Sequence, residues 1–246
     1  MTDVSFLAGS VPVPAAGRSV LLAAAPLAAG SGLPRAWLGG MEAARAAAHL
    51  AGAPRDRFTA GRLLVRQLAS AAWGLGAPAG LALEQRCPRC GSGGHGRPVL
   101  TRGGRELPWA LSYSRCAGWL LLAGLEDDAG ARLGVDLADP ADPAFAEPAL
   151  DAVVLSAAER ALLAALPAAG RPARRARWWA AKEALGKALG EGITGPGGPP
   201  AVEGAGRHPA LGLDGALLAH PGLSWEAPAG LTAALVLLPG TAAATR

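Results

Sequence analysis

The chain of 246 residues is long enough for one large domain or for two smaller ones, each with a core. Its net charge of +4 and pI near 9.5 suit a polyanionic small molecule or an acidic protein partner, but the charge is too small and too dispersed to indicate nucleic acid binding. Three cysteines are too few for a disulfide framework and fit a reducing cytosol. No apolar run reaches the ~20 residues that span a bilayer, so we expect no membrane association.

The N-terminal part of the chain predicts one strand followed by two helices. Residues 1–17 are rich in proline and alanine, which favours an irregular segment, and residues 19–25 have the pattern of a strand. No basic region precedes the apolar segment 19–29, so we expect a cytoplasmic protein rather than an exported one. Apolar residues at helical spacing predict helices over residues 35–50 and 56–74.

Arginines at the start and along one face of the second predicted helix leave two interpretations open. They are Arg55, Arg57, Arg62 and Arg66. The arginines could form a solvated basic face of the helix. They could also capture phosphate, because guanidinium groups form bidentate, charge-assisted bonds with phosphate oxygens.

A cluster of metal-binding residue types follows, with Cys87 and Cys90 at C-x-x-C spacing and His95 close behind. A structural zinc site has four tetrahedral ligands, whereas only three candidates are local. Cys116 and His49 are remote candidates for the fourth position. We therefore favour a structured loop without metal and keep a zinc site as the alternative.

The middle of the chain predicts a turn and then three strands. Pro98 restricts the backbone at residues 96–98, which indicates a turn that presents Arg97. Alternating and apolar patterns predict strands over residues 109–113, 118–125 and 133–137.

The C-terminal part predicts a capped helix and closing strands. Ser156 and Glu159 stand three residues apart at the start of a helical pattern over residues 156–166, which is typical of a capping box and indicates a structural role for Glu159. Apolar segments between glycine and proline turns predict the closing strands at residues 211–218, 223–227 and 231–238.

Residues 178–192 form the most informative stretch of the sequence. If it is helical, Trp179, Glu183 and Lys187 share one face at i, i+4 and i+8, and Lys182 is displaced from them by about 100°. The predicted buried stripe consists of Trp178, Ala181, Leu185 and Leu189. The predicted C-terminal stop of the helix is formed by Gly190 and Gly192. A carboxylate and an ammonium group one turn apart could also be an ordinary surface pair, which stabilises a helix by only ~0.3–0.5 kcal/mol.

Four motifs occur along the chain in a fixed order. They are HGRP at residues 95–98, ALSYS at 110–114, RLGVDL at 132–137 and WAAKEALGK at 179–187. In this order and at these spacings the motifs resemble those of the Sfp-type 4'-phosphopantetheinyl transferases, which read G-K/R-P, N/S-I/L-S-H-S, G-I/V-D-x-E and W-x-x-K-E-x-x-x-K. The resemblance extends over about residues 35–238, and the last motif is the most specific of the four.

The resemblance implies a fold and an activity. The fold is α/β (α+β), with two similar halves at residues 1–108 and 109–246 that each combine a small antiparallel sheet with helices. The activity is the magnesium-dependent transfer of the 4'-phosphopantetheine arm of coenzyme A to a serine of an acyl or peptidyl carrier protein. Such transfer activates carriers of polyketide, nonribosomal peptide or fatty acid biosynthesis, and a chain that holds both halves is expected to work as a monomer.

The resemblance also implies roles for individual residues at a site between the two halves. Asp136 and Glu183 would hold Mg²⁺, which prefers hard oxygen ligands. Glu183 is also the suspected base for the acceptor serine, and Lys187 would contact the diphosphate. The residues that would contact coenzyme A are Arg57, Arg97, Ser112, Tyr113, Lys182 and Lys187.

Two residues depart from the family pattern. Ala138 replaces the second acid of the G-I/V-D-x-E motif, and Tyr113 replaces a histidine, so a positive charge is lost at the predicted phosphate site. Asp139 could replace the missing acid only if the strand has ended before it, as Pro140 allows; otherwise water would complete the magnesium shell.

Two alternative functions remain open at this point. The first is a coenzyme A-binding homologue whose catalysis is weakened or lost through Ala138 and Tyr113. The second is a zinc-dependent interaction module built on Cys87, Cys90 and His95.

Overall fold

The structure of the chain, a computed structural model, describes residues 4–13, 18–49, 51–87, 90–126, 130–190, 193, 201–202, 216–217, 228 and 230–238. It consists of small antiparallel sheets and helices arranged in two compact units, Met1–Asp127 and Asp128–Arg246. Among the helices of the described residues, none is both long enough and apolar enough to cross a lipid bilayer.

The first unit contains a four-stranded antiparallel sheet with the strand order β1-β2-β7-β6. The strands are β1 (Leu7–Val13), β2 (Arg18–Pro26), β6 (Trp109–Cys116) and β7 (Trp119–Glu126). The three strands β2, β6 and β7 confirm predicted elements. Strand β1 corrects the prediction of an irregular segment at residues 7–13. Within the part of the chain that the structure describes, β1 pairs only with β2, and a proline such as Pro12 is tolerated on an edge strand.

The pairing of this sheet also determines where the chain divides. The boundary between residues 108 and 109 that the resemblance implies would separate β6 and β7 from β1 and β2. In the structure β2 pairs with β7 over six residues, from Leu21–Gly124 to Pro26–Trp119. The four strands therefore belong to the same unit, and the division lies after β7.

A second, three-stranded sheet in the first unit was not predicted from the sequence. It consists of β3 (Leu81–Arg86), β4 (Arg97–Arg102) and β5 (Arg105–Glu106), in that order. The predicted turn at residues 96–98 is therefore wrong, because β4 begins at Arg97. Pro98 is compatible with this strand because β5 pairs only with Thr101 and Arg102, so Pro98 has a ladder neighbour on one side only, Gln85 of β3.

Two helices pack in the first unit, α1 (Gly40–His49) and α2 (Ala53–Trp73). Helix α1 begins five residues later than predicted, after a 3-10 turn at Arg35–Trp37. Helix α2 ends at Gly74, which has a φ of +68° and so adopts the left-handed conformation that favours glycine at this position. Leu63, Leu64 and Leu68 of α2 are buried in the core of this unit.

The second unit has a three-stranded antiparallel sheet in the order β8-β10-β9. The elements of the unit are β8 (Arg132–Ala138), α3 (Ala149–Val154), α4 (Ala157–Ala164), α5 (Arg171–Leu189), β9 (Ala216–Leu217) and β10 (Thr232–Leu238). Strands β8 and β10 and helix α4 confirm predicted elements. The predicted strand at 223–227 lies outside the described residues, as does most of the one at 211–218.

Helix α5 packs against β8 and β10 through small residues. It begins earlier than predicted, so the basic run 171–177 forms its first two turns, and it ends as predicted at Gly190, where φ is +79°. Its fully buried alanines recur every four residues at positions 176, 180, 184 and 188. This face differs from the predicted stripe, of which Trp178 and Leu185 are buried but Ala181 and Leu189 only partly so.

Gly134 of β8 marks the closest approach between strand and helix. A Cβ atom at this position would overlap the carbonyl oxygen of Ala184 and would lie 2.8 Å from the nitrogen of Ala188. Because both neighbours are helix backbone, no side chain can rotate away to make room. The glycine therefore allows α5 to lie directly on the sheet.

We expect the Gly134→Ala variant to lose about 3 kcal/mol of unfolding free energy, since overpacking a core forces the backbone to shift. Urea unfolding followed by circular dichroism measures the change. The matched control is Gly170→Ala at the start of α5, where a Cβ meets nothing within 4 Å and φ is −88°. Equal stability of the two variants would contradict the close packing at residue 134.

Candidate active site

The second unit brings a strand carboxylate and a helix ammonium group into direct contact. Asp136 lies within β8 and is 6% exposed, and Lys187 lies in the last turns of α5. Lys187 Nζ donates to Asp136 Oδ1 at 2.6 Å and to the carbonyl oxygen of Val135 at 2.9 Å. The side chain of Lys187 keeps 31% of its surface exposed, so this contact lies at the edge of the core.

Glu183 belongs to the same group of charges. It lies one helical turn before Lys187 and is half-buried. Burial raises its pKa above the ordinary value, the negative charge of Asp136 raises it further, and the charge of Lys187 acts in the opposite direction. The Asp136 and Glu183 carboxylates are therefore close enough to repel each other, and Lys187 offsets only part of that repulsion.

This arrangement has chemical properties that an ordinary surface pair lacks. Lys187 forms its hydrogen bond with Asp136 of β8 and not only with residues of its own helix, so these charged residues join α5 to β8. The two carboxylates are hard oxygen ligands of the kind that Mg²⁺ prefers, and a divalent cation would relieve their mutual repulsion. A carboxyl group with a raised pKa is also better suited to accept a proton near neutral pH.

Lys182 lies elsewhere, in a fully buried ion pair. Its Nζ atom lies 2.8 Å from Glu159 Oε2, and both side chains are 0% exposed. Glu159 also completes the predicted capping box with Ser156 and accepts a hydrogen bond from the backbone N–H of Val202 at 2.7 Å. The structural role predicted for Glu159 is confirmed. The predicted contact of Lys182 with coenzyme A is not compatible with this burial.

The pKa shifts of the buried pair show that the Glu159 charge is well satisfied, whereas burial still disfavours the charge of Lys182. For Glu159 burial alone would raise the pKa, but the hydrogen bonds from Lys182, Val202 and Ser156 outweigh it and lower the pKa below the ordinary value. Burial lowers the pKa of Lys182, and the bond to Glu159 opposes that change. The pair thus holds α4, α5 and the segment at residues 201–202 together.

The end of β8 determines whether Asp139 could replace the acid that is missing at Ala138. The strand ends at Ala138, which is 3% exposed. Asp139 therefore lies after the strand, which is the condition for Asp139 to take the place of the second acid of the G-I/V-D-x-E motif. Its Oδ1 atom, however, accepts a hydrogen bond from the backbone N–H of Ala141 at 2.9 Å, so this oxygen stabilises the turn.

Two arginines of α2 in the first unit are buried. They therefore neither form a solvated basic face of the helix nor present their guanidinium groups to a phosphate. Arg62 and Arg66 are 5% and 0% exposed, and both form ion pairs with Glu42 of α1. They also donate to β3, to the carbonyl oxygens of Leu83 at 2.5 Å and Leu81 at 2.8 Å. This cluster, which joins α1, α2 and β3, could not be recognised from the sequence because Glu42 lies 20 residues before its nearer partner.

The other predicted coenzyme contacts of the first unit occupy different environments. Arg57 is exposed, and its carbonyl oxygen accepts a hydrogen bond from Arg115 at 3.2 Å. Arg97 is half-buried at the start of β4. Ser112 is buried in β6, and the hydroxyl of the half-buried Tyr113 accepts a hydrogen bond from Arg62 at 3.4 Å. Consecutive strand residues point to opposite faces, so Ser112 and Tyr113 cannot act from the same side of β6.

The first unit also contains a cavity of about 890 Å³ that the sequence did not indicate. It is lined by residues of α1, α2 and β3, among them Glu42, Arg45 and Phe58. The guanidinium groups of Arg45 and Arg62 lie 5.9 and 5.6 Å from the centre of the Phe58 ring. None of the residues predicted to contact coenzyme A lines this cavity.

The buried ion pair gives a test of the role of Lys182. We expect the Lys182→Met variant to lose about 3 kcal/mol of unfolding free energy, because it leaves the Glu159 charge buried without its ammonium partner. The exposed Arg177 of the same helix gives the control variant Arg177→Met, which should change stability little. Unchanged stability of Lys182→Met, with weakened binding of coenzyme A, would instead contradict the structural role of Lys182 and support its contact with coenzyme A.

The raised pKa of Glu183 gives a test that depends on pH. The folded state holds this proton more tightly than the unfolded chain, so stability falls as the pH rises above the ordinary value of 4.5 through the folded pKa. We therefore expect Glu183→Gln to melt at a higher temperature than the wild type at neutral pH, and this difference to shrink as the pH approaches 4.5. The exposed Glu147 provides the control Glu147→Gln, which should show no such gain. A Glu183→Gln variant that melts lower at neutral pH would contradict the predicted repulsion.

Comparisons with known proteins bear on the second unit. Residues 132–209 match the family model described as the 4'-phosphopantetheinyl transferase superfamily. No curated protein matches the chain. The matched range begins with β8 and includes α5, so it contains Asp136, Glu183 and Lys187. Residues 132–209 of the chain are thus similar to the 4'-phosphopantetheinyl transferase superfamily.

Proposed function

We propose that the chain transfers the 4'-phosphopantetheine arm of coenzyme A to a serine of an acyl or peptidyl carrier protein, as an Sfp-type member of this superfamily. The observation that carries the proposal is the ion pair that Lys187 of α5 forms with Asp136 of β8, one helical turn from Glu183. These residues lie within the range that matches the superfamily, and their chemistry suits the cleavage of a diphosphate.

Asp136 and Glu183 would hold a magnesium ion in this function. Their fit rests on the donor set itself, two carboxylates on neighbouring elements. Burial raises the pKa of Glu183, and the negative charge of Asp136 raises it further. When bound, the ion supplies Lewis-acid polarisation of the phosphoryl oxygens. Because Ala138 offers no third carboxylate, water and substrate oxygens would complete the coordination shell.

Glu183 is the candidate general base. In the proposed reaction the serine oxygen attacks the phosphorus atom next to pantetheine, and the bond from that phosphorus to 3',5'-ADP breaks. The serine proton passes to the Glu183 carboxylate, directly or through one water molecule. The raised pKa of Glu183, caused by its burial and by Asp136, favours this acceptance of a proton.

Lys187 is the candidate group that contacts the diphosphate of coenzyme A and stabilises the departing 3',5'-ADP. Its ammonium group is already held at the site by Asp136 and by the carbonyl oxygen of Val135, so little reorganisation is needed before substrate binds. The partial exposure of its side chain leaves surface for contact with a phosphate oxygen.

The remaining parts of the proposal come from the resemblance. They are the coenzyme contacts of Arg57, Arg97, Ser112 and Tyr113, the two similar halves of the fold, cytoplasmic action and a monomeric state. The exposure of Arg57 is compatible with phosphate binding, whereas Ser112 is buried and Tyr113 already contacts Arg62. Arg57 is therefore the first of these residues to test.

One observation favours a second candidate function. The position of the missing acid is filled by the buried Ala138, and an oxygen of the nearby Asp139 stabilises a turn. A site with fewer carboxylates would bind coenzyme A with weakened or lost catalysis. The carrier-loading experiment distinguishes this function from the transferase.

The experiment incubates the full chain with coenzyme A, Mg²⁺ and an apo carrier protein, and mass spectrometry measures the gain of one phosphopantetheine arm on the carrier. We expect the wild type to load the carrier and Glu183→Gln to reduce the rate by at least about 10²-fold, because the variant removes the proposed base and one metal charge. Glu147→Gln, which changes an exposed carboxylate outside the site, should load at the wild-type rate.

Each result of this experiment has a definite meaning. A folded Glu183→Gln variant that loads the carrier normally would contradict the role of Glu183. A wild type that binds coenzyme A but loads none of several acyl and peptidyl carriers would favour the binding homologue. Melting temperatures measured in parallel show whether any loss of activity follows from unfolding.

A further inference from the structure

The loop between β3 and β4 gathers three side chains that bind metals. Cys87 immediately follows β3, and Cys90 and His95 come later in the same loop. One ligand atom from each of the three lies within 4.8 Å of the others, with Cys87 buried and the other two exposed. None of the chain's cysteines forms a disulfide. The loop thus has a compact Cys-Cys-His site that the proposed function does not use.

The backbone of the loop folds in a way that creates this site. Gly91 has a φ of +70°, and its N–H donates to the carbonyl oxygen of Cys87 at 3.0 Å. The N–H of Cys87 in turn donates to the carbonyl oxygen of Ser92 at 3.0 Å. This tight turn, with glycine in the left-handed conformation, returns Cys90 to the side of Cys87.

Gly96 brings His95 to the same place. Its φ of +104° is accessible to glycine but strained for other residues. A Cβ atom at Gly96 would overlap the backbone of Arg86 and Cys87, so the chain passes directly against the first cysteine. The residue before Gly96 therefore lies beside both thiols.

The spacing between Cys90 and His95 agrees with zinc coordination. A tetrahedral ion with Zn–S near 2.3 Å and Zn–N near 2.0–2.1 Å separates a sulfur from a nitrogen ligand by about 3.6 Å. Cys90 Sγ and His95 Nε2 are 3.5 Å apart. Two soft thiolates with an imidazole favour zinc over magnesium or calcium, which prefer oxygen ligands.

We propose that Cys87, Cys90 and His95 bind one zinc ion that fixes the loop between β3 and β4. Binding deprotonates the two thiols and releases their protons to solvent, while neutral His95 donates a nitrogen lone pair. Three protein ligands leave a fourth tetrahedral position for water. Because residues 87–96 include four glycines, ordering this loop is costly in conformational entropy, and the ion would supply the compensating free energy.

The test measures the zinc content of the full, tag-free chain, purified with reduced thiols, equilibrated with zinc chloride and freed of unbound ion. Plasma mass spectrometry should find about one zinc ion per chain in the wild type. The variants Cys90→Ser and His95→Ala change exposed ligands and spare the buried Cys87. We expect each of these variants to bind about tenfold less zinc than the wild type, or less still. Cys116→Ser removes the cysteine outside the site and should bind zinc as the wild type does.

Cobalt and heat give independent readouts. Cobalt added to the zinc-free wild type should produce a thiolate-to-cobalt charge-transfer band that Cys90→Ser weakens and Cys116→Ser leaves intact. Removing zinc with a chelator should lower the melting temperature of the wild type but not that of His95→Ala. Circular dichroism checks that each variant is folded.

Three results would overturn the proposal. The first is a reduced wild type that holds no zinc after exposure to the ion. The second is a folded Cys90→Ser or His95→Ala variant that retains as much zinc as Cys116→Ser. The third is bound iron or copper in place of zinc. The zinc measurement does not depend on transfer activity, so it stands or falls separately from the proposed function.

Discussion

Helix α5 lies so close to strand β8 that a single methyl group at Gly134 would overlap the Ala184 carbonyl oxygen. This approach is possible because the helix presents alanines to the sheet and the strand presents a glycine. It places the face that carries Glu183 and Lys187 beside Asp136. With larger residues at this contact, the helix would stand further from the strand, and the same charges would form an ordinary pair on the helix surface.

The second unit contains two carboxylate–lysine systems that differ in how well their charges are satisfied. Glu159 and Lys182 are fully buried, and enough hydrogen bonds reach Glu159 to lower its pKa. Glu183 is half-buried, and its pKa is raised because burial and Asp136 outweigh the charge of Lys187. Removing one partner of the first system would leave the other charge buried and uncompensated, so the pair has a structural role. The second retains unfavourable electrostatic energy, which is typical of a site that binds a cation or accepts a proton.

The sequence predicts this unit well where local rules determine the structure. The capping box at Ser156, the left-handed stop at Gly190 and the strand that contains Asp136 follow from spacing and residue type alone. The burial of Lys182 could not be predicted, because helical spacing separates it from Glu183 without showing what it faces. Likewise, the buried arginines of α2 depend on Glu42 of another helix, and β3 to β5 depend on pairing between distant residues.

The loop at residues 87–96 shows where local spacing stops being informative. The C-x-x-C spacing and His95 are visible in the sequence, but whether the histidine reaches the thiols depends on the path of the chain between them. That path is set by contacts of Gly96 with the backbone at the end of β3. The loop therefore closes because β3 and β4 pair up to Arg86 and Arg97, which hold its two ends together. An ion bound inside the loop would in turn stabilise the pairing that begins β4, and with it the position of Arg97.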